Sequence, residues 1–119
     1  MPVILDEMPA GPLLNRLVAT LVCCQTGGLP DDTYPNYSGD VKLAFAAVDA
    51  FLAANRGVKL TIEYPMPEVW VRRSAEEVSK GSGWVTAVYV ADDTLPIALC
   101  RALLRAAGHV DARGVILSD

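Results

Sequence analysis

The chain has 119 residues, of which 52% are hydrophobic and 20% charged, and its formal net charge is −4. Those values argue against a disordered chain and against the basic surface that nucleic-acid binding normally requires. They fit one domain, residues 1–119, with a core that needs neither disulfides nor metals. The apolar content exceeds what one small core needs, which predicts a homo-oligomer.

Residues 1–9 are a lead-in, in which Val3, Ile4 and Leu5 form a short edge strand or pack the terminus. Pro12 suits the first turn of a helix, because it lacks the N–H that would be unpaired there. Leu13, Leu14, Leu17, Val18, Leu21 and Val22 follow at helical spacing and predict a helix over residues 12–24. Residues 25–37 (QTGGLPDDTYPNY) hold paired glycines, prolines and aspartates and form a long loop carrying Tyr34 and Tyr37. Ser38 is placed to cap a second helix with Asp40 in its first turn, running from Val41 to Leu52 and stopped by Gly57.

Three strands come next. Val58, Leu60, Ile62 and Tyr64 alternate with Lys59, Thr61 and Glu63, which predicts one buried and one wet face. Pro65-Met66-Pro67 makes a stiff turn into a strand over residues 69–73. Residues 74–82 form a hairpin loop, and residues 83–91 a strand apolar on both faces, expected inside the structure. Asp93 or Thr94 caps a last helix with Pro96 in its first turn and Gly108 at its end. In the tail, residues 108–119, Val115-Ile116-Leu117 suggests an extra strand or one lent to a neighbouring subunit. The order α-α-β-β-β-α predicts an α+β fold: a small antiparallel three-stranded meander layered with helices on one or both faces. No basic n-region precedes an apolar stretch, and the run from Leu17 to Cys24 is too short for a bilayer. A cytoplasmic protein with no membrane partner is expected.

The chain offers little for catalysis. His109, the one histidine, follows a helix-ending glycine and suits a solvated place near a helix C-terminus. Cys23, Cys24 and Cys100 do not form a disulfide framework, and two adjacent helical cysteines point about 100° apart and cannot share a metal comfortably. They are expected to act as small buried hydrophobes. Asp92-Asp93-Thr94 is explained by a helix cap. Gly27-Gly28 and Gly81-Ser82-Gly83 lack the context of a phosphate loop. No catalytic residue, metal site or cofactor is assigned. The candidate ligand-binding residues are Arg72, Arg73, Arg101 and Arg105, whose forks suit an anionic group, with Trp70, Tyr34 and Tyr37 as stacking surfaces. Trp84 is expected in the core.

Two segments carry a likeness to a known family. Pro35-Asn36-Tyr37-Ser38-Gly39-Asp40 leads into Ala44, Phe45 and Val48, and residues 91–104 read ADDTLPIALCRALL. Together they resemble the phage ABA sandwich domain, a group of small phage and prophage proteins with a Tyr-Ser turn opening one helix and an acidic-Thr turn opening another. The likeness spans residues 13–107, but family members carry a Trp-rich stretch where this chain has residues 25–37. The resemblance implies a phage or prophage origin, an α/β sandwich and a place in the host cytoplasm. It brings no established activity. The expectation is a non-enzymatic binding protein, a host-defence antagonist that sequesters a nucleotide-like anion or a host protein. The alternative is a structural or assembly protein without a small ligand.

Overall fold

A computed structural model describes residues 4–25, 27–30, 33–74, 83–108, 110 and 114–116. The expected hairpin loop beyond Ser74, His109, Leu117 and the Trp84 side chain lie outside that description.

Pro12 opens α1 (Pro12–Leu17) as its missing N–H allows. The apolar stripe then continues through a wider π-helical segment, Val18–Val22, so the expected α-helix to residue 24 changes winding halfway and stops early. The Thr20 hydroxyl donates to the Arg16 carbonyl at 2.9 Å. That carbonyl is the α-helical acceptor for the residue 20 amide, and such back-bonding loosens the ladder. The Cys23 amide accordingly reaches the Val18 carbonyl, five residues back, at 3.0 Å.

Helix α2 (Val41–Ala54) is capped two residues later than expected. Asp40 is its cap, accepting from the Lys42 amide at 2.9 Å. Ser38 cannot serve, because its hydroxyl is engaged elsewhere. Asn15 Oδ1 accepts from the Ser38 amide at 2.8 Å and from the Ser38 hydroxyl at 2.6 Å. Ser38 Oγ in turn accepts from the Gly11 amide at 2.9 Å. Asn15 and Ser38 are the buried polar residues of the described core. They tie the start of α1 to the turn before α2. The helix ends at Asn55, whose side chain donates to the Phe51 carbonyl, and Gly57 at φ +73° turns the chain into the sheet.

The sheet is the expected antiparallel meander of β1 (Val58–Glu63), β2 (Glu68–Ser74) and β3 (Trp84–Ala91), in the order β1-β2-β3. Helix α3 (Leu95–Ala106) packs against β2 and β3, and also against α2 and the π-helical segment. Ala98, Leu99, Cys100, Ala102, Leu103 and Leu104 of α3 are all buried. Thr94 occupies its cap position without a side-chain cap bond, and Gly108 at φ +83° follows its end. Helices therefore cover one face of the sheet among the described residues.

Two expectations about the strands change. β3 is an edge strand, and β2, with Val69 and Val71 fully buried, is the central one. Apolar residues on both faces of β3 reflect an outer face that is itself partly apolar. β1 packs Val58, Leu60 and Ile62 against the core as the alternation predicts, but these are only half-buried, because α3 lies over the other two strands. The termini close the fold. Leu5 is fully buried in a short 3-10 turn (Leu5–Glu7), and its amide donates to the Gly114 carbonyl at 2.8 Å. Ile4 bridges Val115 and Val110 bridges Ile116, so this stretch of the tail pairs within its own chain.

The Asn15–Ser38 pair makes a stability prediction. Asn15→Ala leaves the Ser38 amide and hydroxyl unpaired inside the core, and is expected to cost about 3 kcal/mol. Ser38→Ala is expected to cost about half as much. Urea unfolding of the two variants, followed by circular dichroism, measures both.

Candidate binding groove

α3 leaves one stripe outside the core, and the stripe carries Arg101 and Arg105, one helical turn apart. It faces the edge of β3 that pairs with no other strand among the described residues. Between them runs an open groove of about 660 Å³, walled by residues 87–91 of the strand and by Asp92 just beyond it, and closed by Asp6 and Val110 from the termini.

Each arginine meets a carboxylate there. Arg101 Nη1 pairs with Asp92 Oδ2, and its Nη2 donates to the Met8 carbonyl at 2.8 Å. These side chains are 13% and 14% exposed, and Arg101 Nε is buried with no acceptor among the described residues. Arg105 Nη2 bonds Asp6 Oδ2 at 2.7 Å in a wetter setting, with side chains 24% and 60% exposed. Arg101 is a brace joining the N-terminal turn, α3 and the end of β3. Arg105 makes an ion pair that solvent and ligands can reach. Among the described residues, two arginines and two aspartates leave the groove with no net charge.

The other expected site residues lie elsewhere. Arg73 turns inward and its Nη2 donates to the Ala106 carbonyl at 3.3 Å, a favourable place for a cation at the end of α3. Arg72 and Trp70 lie on the opposite sheet face, where the Trp70 ring packs against Tyr89 with centroids 5.1 Å apart. Tyr34 and Tyr37 are not stacking surfaces but core residues. The Tyr34 hydroxyl accepts from the Leu29 amide at 3.3 Å, and the Tyr37 hydroxyl from Gln25 Nε2 at 2.9 Å. They pin the long loop onto the helices, and an aromatic serving that purpose is not available to a ligand. Asp6, Asp92 and the β3 edge were not among the expected residues. Residues 84–91 contain no charge and no proline, a composition that reads as an interior strand and so hid the edge.

The cysteines separate by burial. Cys100 is buried and its thiol is pushed up to about 12, chiefly by desolvation. Burial likewise raises the Tyr37 hydroxyl to about 12, with a hydrogen bond to Cys23 adding to the shift. Cys23 is raised as well, first by burial. Cys24 departs from the expected buried role: it is exposed at φ +57°, just beyond the π-helical segment. Among the described residues no group of three potential metal ligands occurs. No helix among them is long and apolar enough to cross a membrane.

No protein-family profile matches the chain, and neither a curated protein nor a solved structure is detectably similar to it.

Three predictions come from this geometry. Arg101→Met strands Asp92 and the Met8 carbonyl and is expected to cost about 3 kcal/mol, whereas Arg105→Met costs less than about 1 kcal/mol; thermal and urea unfolding compare them. Cys100 and Tyr37 hold their protons more tightly folded than unfolded. The stability they contribute is complete below pH 9.0, the ordinary thiol value, and is lost as pH rises toward about 12. Unfolding free energy should therefore fall across that window, and Cys100→Ala should flatten the first part of the fall. At neutral pH one thiol, Cys24, should react rapidly with a disulfide reagent, and Cys24→Ser should abolish that phase.

Proposed function

We propose that the protein is a non-enzymatic binding protein that captures an extended segment of another polypeptide on the free edge of β3. The observation that carries this reading is the groove itself. One of its walls is a strand edge of uncharged residues with no second strand beside it among the described residues. An edge strand exposes a row of backbone N–H and C=O groups, which natural proteins usually blunt with lysine, proline or a bulge. β3 has a bulge opposite Val71 and Arg72, and beyond it residues 88–91 continue in regular register with β2. The edge alongside that stretch can accept one more strand by main-chain hydrogen bonds.

The charge pattern favours a polypeptide over a nucleotide-like anion. Any polyanion in the groove would meet Asp6 and Asp92 as well as the two arginines. The four arginines also face three different surroundings and do not converge on one anion. The resemblance of residues 35–48 and 91–104 to phage proteins supports a host-cell protein as the partner, and neutralising it as the role.

The test is affinity capture from bacterial lysate with the wild type and with Ala87→Lys, which puts a charged side chain at an exposed position of the edge. The expected result is a discrete partner whose affinity falls at least about tenfold with Ala87→Lys, about 1.4 kcal/mol, and whose binding slows hydrogen exchange of the β3 amides. A partner held equally by both proteins overturns the reading. So does a nucleotide-sized anion released from the purified protein and identified by mass spectrometry.

A further inference from the structure

The hydrogen-bond phase of the sheet fixes which residues of β3 address its edge. Directly opposed residues of antiparallel strands alternate between pairs that exchange main-chain hydrogen bonds and pairs that do not. The Asp92 amide donates to the Pro67 carbonyl at 3.2 Å, one step beyond the Glu68–Ala91 pair. Two and four residues back, Val90 and Val88 therefore exchange bonds with Val69 and Val71. The other ladder agrees. The Ser74 amide donates to the Gly57 carbonyl at 2.8 Å, which assigns Glu68, Trp70 and Arg72 to β1 and leaves Val69 and Val71 for β3. Tyr89 and Ala91 thus turn their N–H and C=O groups outward, where no strand pairs with them among the described residues. Both residues are exposed.

The side chains divide with the same period. Val88 and Val90 turn toward the helices and pack against the core. A strand added at the edge places the residue opposite Val90 on this same side, inside the groove. Its neighbours there are Val110 and the stems of Arg101 and Arg105. The charges of the groove are already engaged within the chain, Arg101 with Asp92 and Arg105 with Asp6. A charged newcomer would lose hydration without gaining a counter-ion, whereas an apolar one gains by leaving water. The residues to either side of it point to the outer face, where an aromatic or β-branched side chain fits beside the exposed Tyr89 ring.

From this phase we infer that the segment captured at the edge is an antiparallel stretch with a core of three residues. A non-proline residue lies opposite Ala91, an apolar anchor opposite Val90, and a non-proline residue opposite Tyr89. The inference rests on the reading of the β3 edge as a polypeptide site and specifies what that site recognises. The two outer residues exchange all four main-chain bonds with Ala91 and Tyr89, so each must keep its N–H. The core is short because the bulge interrupts the ladder before Val88 and the chain turns into α3 beyond Asp92. A parallel guest would have to extend from Val88 to Asp92 to form the same four bonds, and parallel pairing is less stable per residue. Recognition is main-chain hydrogen bonding with one apolar contact, independent of the ion pairs.

The probe is a seven-residue peptide blocked at both ends, with threonine, leucine and tyrosine at its centre and serine elsewhere. It is titrated into the full chain and followed by amide NMR and hydrogen exchange. Binding is expected to slow exchange at Tyr89 and Ala91, and to leave Val88 and Val90, already bonded to β2, within about twofold. N-methylation of the threonine or tyrosine amide should weaken binding at least about tenfold, whereas N-methylation of the leucine amide, which points away from β3, should change it less than about twofold. Glutamate or lysine in place of the leucine should cost at least about tenfold, and raising salt from about 0.05 M to about 0.5 M should change affinity less than about twofold. Tyr89 and Ala91 protected by a peptide that loses binding only on methylation of the leucine amide overturns the inference and leaves the capture reading standing. So does a charged centre bound as tightly, or a tenfold loss with salt. A peptide that does not bind at about 5 mM overturns the inference as well, and the capture reading is then decided separately by the Ala87→Lys comparison.

Discussion

Helix α3 is buried against the sheet on one side and against α2 and the π-helical segment on another, and this double burial is the constraint on which the other elements depend. Its twelve residues leave almost no wet face, so the sheet has to lie over it with Val69, Val71 and Val90 pressed inward. Once α3 occupies that face, the other face of the sheet is left to solvent or to a partner. The stripe with Arg101 and Arg105 is left beside the β3 edge. The groove and the uncovered sheet face are both consequences of where one helix sits.

The arginines show how much a tertiary setting changes a side chain. Arg101 and Arg105 are equivalent in sequence, one turn apart with alanine and leucine between them. Arg101 reaches Asp92 and the Met8 carbonyl in a largely dry site, and removing it would leave a largely desolvated carboxylate with only the Asp93 amide as partner and no counter-charge. Arg105 holds Asp6 on the surface, where ion pairs contribute little. One arginine fastens the N-terminal turn to the sheet, and the other remains adjustable within the groove.

The polar core has the same character. Asn15 lies in an apolar helix and Ser38 in a turn, and nothing local links them. Folded, they satisfy each other and the Gly11 amide, and in doing so hand the capping of α2 to Asp40. The tyrosines of the long loop follow the same logic. A loop rich in glycine, proline and aspartate suggested exposed aromatics, yet Tyr34 and Tyr37 turn inward because the helices leave an apolar cleft there.

The sequence by itself determined the α+β class, the order of three helices and three strands, the meander, and the glycine that follows α3. Those features depend on periodicity and on backbone preferences, which act over a few residues. Local signals also marked β3 as uncharged and the ends of β1 and β2 as charged. Only the tertiary structure decided that β3 is an edge, that the charged ends line up in register, and that Asp6 and Asp92 face the arginines. These are contacts between residues far apart in the chain, such as Asp6 with Arg105. They are set by which surfaces α3 covers, and no short-range pattern encodes that choice.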